Sequence, residues 1–193
     1  MKHAASRALY AYWDERRGTR AAPERAEIEP GAIRHVLSDT FIVALDGEAG
    51  YPFRLAGTRI CALFGRELKA EPFIGLWAAA SQPIVADLIA VAAGERVGTV
   101  AGASATNSAG EPIELELLLL PLAVPRPSLA RAIGILAPLQ APHWLGARAI
   151  GALTLGSRRH VGSGLQSRLL PRFMAPLAPR SRHGLVVHDG GRS

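Results

Sequence analysis

The most informative stretch of the chain runs from residue 53 to residue 77 and reads FRLAGTRICALFGRELKAEPFIGLW. Its middle part, residues 57–69, has apolar side chains at the three- and four-residue spacing of a helix. Those apolar positions are Ile60, Leu63 and Phe64. Gly65 follows them and is the residue type that most often ends a helix. Residues 73–77 continue as a single helical turn. The stretch therefore predicts a short helix followed by a further helical turn.

Strand-like segments lie on both sides of these helices. Residues 40–45 (TFIVAL) form an apolar, β-branched run that ends in the turn Asp46-Gly47, and residues 51–56 follow as the hairpin partner. On the other side, Ser81 begins a longer helix that runs to about Ala93. Three further strands are predicted after it, at residues 96–106, 112–122 and 129–139.

An amphipathic helix is also predicted near the N-terminus. Ser6 can cap this helix, which carries Leu9, Tyr12 and Trp13 on one side. An amphipathic helix with a tryptophan on its apolar side either packs on its own domain or pairs with a second copy. Leu9, Tyr12 and Trp13 are therefore the candidates for an interface.

The order of the elements is helix, two strands, short helices and then three strands. This order predicts an α+β fold with one five-stranded antiparallel sheet, helices on one face, and an added N-terminal amphipathic helix. We expect three parts: an N-terminal helix and linker at residues 1–27, a domain at residues 28–155, and a tail at residues 156–193. The domain begins with a short helix near residues 28–37.

The positive charge of the chain is concentrated in this tail. Residues 1–155 hold 15 basic and 15 acidic residues, so 15 − 15 = 0, whereas residues 156–193 hold seven arginines and one aspartate, so 7 − 1 = +6. The tail is rich in Gly, Ser, Pro and Arg, and such a composition predicts disorder. It is either a solvated extension or a contact for nucleic acid, anionic lipid or an acidic partner.

Length and composition exclude several other classes. A chain of 193 residues suits one domain with short extensions. Its single cysteine, Cys61, excludes an intramolecular disulfide and a four-cysteine zinc site. The sequence has neither an unbroken apolar run of about 18 residues nor the apolar N-terminal run of a secretory signal. We therefore expect a cytoplasmic protein without a membrane span.

The central stretch resembles the core signature of the PAS fold, a common sensory module, and more specifically the small stand-alone bacterial PAS family known as PAS_5. In one departure from the wider pattern, Ala70 stands where many PAS sequences have a glycine. The resemblance covers residues 7 to about 155 and implies the fold, but it implies no particular ligand. It rests on Tyr12-Trp13, Ala56-Gly57-Thr58, Cys61, Phe64 to Leu68, Phe73 to Trp77, Leu117 to Pro121 and Trp144.

PAS domains often hold a small molecule between the sheet and the helices. The candidates to line such a pocket are Phe64, Phe73 and Trp77, with Cys61 beside them and Arg59 or Arg54 as an anchor for an anion. The alternative is that the aromatic residues simply fill this space. A flavin is disfavoured because no cysteine motif follows the Glu-Leu dipeptide, and haem is disfavoured because the helix at residues 81–93 has no histidine. No cofactor is therefore predicted.

The sequence does not support catalysis or a metal site. Cys61 lies near Arg59 and is either a redox-active thiol or a small buried residue. Glu114 and Glu116 are expected to share the exposed face of their strand, where they are either solvated or a carboxylate pair. Ser163 lies between two glycines, but no strand-to-helix turn surrounds it.

These observations predict a non-enzymatic, PAS-type sensory or regulatory module that acts through protein–protein contacts, as a homodimer or with another protein. Two other functions remain open. One is a small-molecule sensor with a buried pocket, and the other is an adaptor for nucleic acid or an anionic surface that uses the arginine-rich residues 156–193.

Overall fold

The computed structural model describes residues 1–123 and 130–162. Two 3₁₀ helices, Arg25–Glu27 and Arg34–Asp39, precede the sheet, and a third, Phe73–Leu76, comes later in the chain. The short helix predicted at residues 28–37 is therefore replaced by turns and 3₁₀ geometry. The other elements are α1 (Ala4–Arg17), β1 (Thr40–Ala44), β2 (Phe53–Ala56), α2 (Thr58–Phe64), α3 (Gln82–Glu95), β3 (Gly98–Thr106), β4 (Pro112–Leu122), β5 (Arg131–Pro138) and β6 (Thr154–Val161).

The strands form one antiparallel sheet in the order β2-β1-β5-β4-β3-β6. The α+β class is confirmed, but the prediction of five strands was one too few. β6 pairs with β3 from Gly98 to Ser104, with a bulge opposite Gly102. In the described part of the chain, no helix is long and apolar enough to cross a bilayer.

Residues 156–161 therefore belong to the sheet and not to a disordered tail, which corrects that part of the prediction. The strand has no alternating apolar pattern because most of its side chains are exposed. Backbone pairing with β3 holds it, and this pairing requires no particular side chains. The remainder of the predicted tail, residues 163–193, lies outside the described residues.

The two faces of the sheet are covered by different helices. α2 and α3 cover one face, here called the inner face, and α1 covers part of the other, here called the outer face. Helices must pack on both faces of β4, because it has apolar side chains on both. Leu115, Leu117 and Leu119 belong to the inner core, and Leu118 and Leu120 belong to the outer core. The helix predicted at the N-terminus thus packs on its own domain.

Glu116 connects α1 to the sheet and was wrongly predicted to be exposed. Its side chain is 5% accessible. One carboxylate oxygen accepts a hydrogen bond from the backbone N–H of Lys2 at 2.6 Å, and the other accepts one from the N–H of His3 at 3.0 Å. The free N–H groups at the start of a helix attract a carboxylate, so the carboxylate anchors the beginning of α1. Glu114, two residues earlier, is exposed as expected.

The same contacts determine the charge state of Glu116. Burial alone would raise the pKa of this carboxyl, but the backbone N–H groups of Lys2 and His3 stabilise the ionised form. The net result is a pKa below the ordinary glutamate value of 4.5. A carboxyl with a lowered folded-state pKa contributes stability above its ordinary pKa, and this contribution is lost as the pH falls through the folded value.

Replacement of Glu116 by Gln is expected to destabilise the protein by about 1–2 kcal/mol near neutral pH, because the hydrogen bonds to a charged acceptor become weaker. The difference from wild type should shrink as the pH falls below 4.5. The free energy of unfolding of both proteins is measured by urea denaturation, near neutral pH and at the lowest pH where both fold. The matched control is Glu114→Gln on the same face of β4, which should leave stability unchanged. Equal effects at both positions would contradict the anchoring role of Glu116.

Candidate functional site

The Ala-Gly-Thr motif at residues 56–58 owes its glycine to a close backbone approach. A Cβ atom at Gly57 would lie 2.3 Å from the carbonyl oxygen of Leu37 and 2.4 Å from that of Ser38. Such distances allow only a glycine where α2 begins against the preceding 3₁₀ helix. This part of the signature therefore has a structural role.

The Phe-Gly-Arg-Glu-Leu motif at residues 64–68 has a structural role of the same kind. Gly65 ends α2 with a φ angle of 64°, in the left-handed region that favours glycine. The helix therefore ends at Phe64, as the position of Gly65 predicted. Leu68 is fully buried in the inner core, whereas Arg66 and Glu67 are exposed.

The turn after this motif closes one edge of the sheet. The N–H of Ala70 donates to the Phe53 carbonyl at 2.9 Å, and the Phe53 N–H donates to the Glu71 carbonyl at 3.0 Å. Phe53, the first residue of β2, is therefore hydrogen-bonded on its outer side, although β2 is the last strand of the sheet. Ala70 has a φ angle of 69°, a left-handed conformation in which its Cβ is strained.

The three aromatic pocket candidates lie together between α3 and the sheet. Phe64, Phe73 and Trp77 are 6%, 0% and 1% accessible and belong to the inner core. The Phe73 ring lies 5.4 Å from that of Phe41, 5.5 Å from that of Phe53 and 5.9 Å from that of Trp77. These distances are typical of packed aromatic pairs, so the rings occupy the space in which a ligand would lie.

One polar atom in this aromatic cluster has no partner. The indole nitrogen of Trp77 is buried and makes no hydrogen bond to any described residue. A buried indole N–H without an acceptor is unfavourable and is usually satisfied by a protein group or by water.

The polar pocket candidates point away from this cluster. Arg59 has a side chain that is 60% exposed, and its Nη1 lies 2.8 Å from Oδ2 of the buried Asp39. Arg54 is exposed on β2. Both cations therefore lie outside the inner core, which contradicts their expected role as anchors in a pocket.

Cys61 is half-buried and packs at the border of the inner core. Its Sγ atom lies 4.0 Å from the Ala56 carbonyl oxygen and 3.9 Å from a Glu67 carboxylate oxygen. The guanidinium of Arg59, the cation expected near Cys61, is paired with Asp39.

The interface candidates on α1 are used within the chain. Leu9 and Trp13 are 0% and 1% accessible, and the Trp13 indole N–H donates to the Pro121 carbonyl at 2.8 Å. Tyr12 is half-buried, and its hydroxyl donates to the Glu27 carbonyl at 3.1 Å and accepts from the Glu29 N–H at 3.0 Å. Leu9 and Trp13 are therefore inaccessible to a partner while α1 stays in place.

A groove beside α1 was not foreseen from the sequence. This outer groove, of about 300 Å³, lies between the segment before β1 and the β1–β2 end of the outer face. Leu55 is exposed in it to 40%, and Arg25 adds a guanidinium. Sequence periodicity did not reveal it, because its walls come from irregular segments and from three different strands. Its main apolar lining residues are Ile28, Ile33, Leu37, Ile42, Leu55 and Ile133.

A sequence model of the PAS_5 family, described as a PAS domain, matches residues 1–137. This chain belongs to the PAS_5 family of PAS domains. Membership suggests a sensory or regulatory module. The PAS_5 match begins before α1 and ends within β5, so α1 is part of the family pattern and β6 lies beyond it. No curated protein matches the chain.

The strained turn at Ala70 generates a prediction about stability. Ala70→Gly should stabilise this PAS domain by about 0.5–1 kcal/mol, because glycine adopts a positive φ without a Cβ clash. The control is Ala93→Gly at an exposed position of α3, which should cost about 1 kcal/mol. Thermal and urea denaturation measure both variants. Destabilisation of similar size in both would contradict the strain at Ala70.

Proposed function

We propose that this chain is a non-enzymatic PAS-type regulatory module that acts through protein–protein contacts. The observation that carries the proposal is the contrast between the two faces of the sheet. On the inner face, aromatic side chains fill the space between helices and sheet. On the outer face, the outer groove has an apolar lining in which Leu55 is 40% exposed, although the isoleucines behind it are buried.

The outer groove has the features of an anchoring point for a protein partner. Its walls are mainly isoleucine and leucine, and Leu55 is one of two large hydrophobic residues that are exposed in the described chain. Buried apolar anchors in such grooves supply much of the binding energy of protein interfaces, and Arg is frequent at these positions. Arg25 therefore fits the groove as a polar contact at an otherwise apolar site.

A small-molecule sensor is the second candidate, and the free indole N–H of Trp77 favours it. A ligand with a hydrogen-bond acceptor in the inner core would satisfy this donor. Such a ligand would have to displace closely packed aromatic rings, and this requirement makes it the weaker proposal.

Native mass spectrometry of freshly purified protein distinguishes the two functions. The regulatory contact module predicts the bare chain mass of 20.4 kDa, or a multiple of it, with no absorbance beyond that of the aromatic residues. An added mass that denaturation removes, and that Trp77→Phe weakens, would contradict the proposal in favour of a sensor. Phenylalanine keeps an aromatic ring at this position, but it is smaller than the indole and lacks the N–H.

Site-specific photo-crosslinking tests the outer groove in cells that produce the protein. A photoreactive residue in place of Leu55 should give a protein adduct, either with another protein or with a second copy. The matched control is Ile84 on α3, which is exposed to 36% on the opposite side of the sheet. Equal adducts at both positions, or none at position 55, would contradict a contact through the outer groove.

A further inference from the structure

The two edges of the sheet differ in how they end. At the β2 edge, the turn at residues 70–73 is hydrogen-bonded to the outer side of Phe53, where the strand begins. The β6 edge pairs with β3 on one side, and in the described residues no strand pairs with its other side. An open edge is a template for a further strand unless it is covered or charged, and five of the eight residues of β6 are exposed.

The direction of the backbone groups along β6 follows from the β3–β4 hairpin. The N–H of Asn107 donates to the Glu111 carbonyl, so this pair is a hydrogen-bonded one. Hydrogen-bonded pairs alternate along an antiparallel ladder, so the backbone N–H and C=O groups of the odd-numbered residues of β3 point to β4. Those of the even-numbered residues point to β6. Val100 pairs with Arg159 in the β3–β6 ladder, so the backbone groups of Arg159 point to β3. The N–H and C=O groups of Arg158 and His160 consequently point to the open side.

The beginning of β6 agrees with this assignment. The N–H of Leu155 donates to the Ser81 hydroxyl at 3.0 Å, on the side away from β3. Leu153 is likewise bonded to the backbone of Leu76 and Ala78. The open part of the edge therefore begins after Leu155 and runs through Arg158 and His160.

The side chains of this open part are cationic on both faces of the sheet. Arg159 lies opposite Val100 of the outer core, and Arg158 lies opposite Ala101 of the inner core, so the two arginines point to opposite faces. Both are exposed. A strand added at this edge has alternating side chains, so two adjacent acidic residues on it would each meet one arginine.

We propose that the open edge of β6 binds an acidic, extended segment of a partner protein by strand addition. The backbone groups of Arg158 and His160 supply the hydrogen bonds, and the two arginines select acidic residues. The proposal rests on the proposed function, because it names the chemistry of one partner, but it uses the opposite edge of the sheet from the outer groove.

The charge of the β6 edge disfavours three other binding partners: a second copy of β6, residues 163–193 and nucleic acid. Self-pairing of two β6 strands would bring the Arg158-Arg159 pairs of both copies together, and like charges opposite each other destabilise a strand pair. Residues 163–193 carry five arginines and one aspartate, 5 − 1 = +4, so their net charge has the same sign as that of this edge. Nucleic acid is disfavoured because its phosphates need cations on one surface, whereas these arginines lie on two.

The probe is a synthetic eight-residue peptide of alternating threonine and valine with two adjacent glutamates at its centre. Titrated into the ¹⁵N-labelled full chain, it should shift the NMR signals of Arg158 and His160 most, and slow the hydrogen exchange of these two amides. Replacement of both glutamates by glutamine should weaken binding roughly fivefold. Shifts confined to other regions, or none, would overturn the proposal.

Two matched controls separate strand addition from simple charge attraction. The double variant Arg158→Glu, Arg159→Glu should no longer bind the glutamate peptide. It should instead bind a peptide in which two lysines replace the two glutamates. A glutamate peptide with N-methylated backbone nitrogens keeps the charge and should not bind. Equal binding of the methylated peptide, or tighter binding of a duplex oligonucleotide, would overturn the proposal. If the glutamate peptide does not bind, the Leu55 crosslinking result is unaffected, so the two proposals are tested independently.

Discussion

The structure depends on the burial of β4 on both of its faces. Leu117 and Leu119 face α2 and α3, whereas Leu118 and Leu120 face α1, and all four are at most 2% accessible. Burial of one leucine side chain contributes about 1.5–3 kcal/mol, so a sheet that left one face of this strand in water would lose much of its stability. The placement of α1 on the outer face is therefore a requirement of the strand sequence.

This constraint also determines which surfaces remain for binding. α1 covers the centre of the outer face, with Trp13 bonded to the Pro121 carbonyl and Glu116 bonded to the first N–H groups of the chain. The aromatic residues close the inner face. In the described residues, two accessible places lie to either side of α1: the outer groove near β2, and the open edge of β6. These are the two places at which we propose that this PAS domain makes its regulatory contacts.

The sequence predicted the parts of this arrangement that rest on local patterns. The bounds of β4 at residues 112–122 were correct, because its long apolar run and flanking turn residues are unambiguous. β6 was missed because an exposed edge strand needs only backbone pairing, and Gly156 to His160 have no apolar alternation. Glu116 was misplaced because its burial depends on α1, more than a hundred residues away. Likewise, the partner of Arg59, Asp39, is close only in the folded chain.

The central claim is that α1 covers the outer face of its own chain. Hydrogen exchange of the α1 amides, followed by NMR at protein concentrations where the chain is monomeric, tests it most directly. The account predicts that the amides of Leu9 and Trp13 are strongly protected, and that dilution does not change this protection. Rapid exchange in the monomer, with protection that appears only as concentration rises, would show that α1 binds a second copy and would contradict the account.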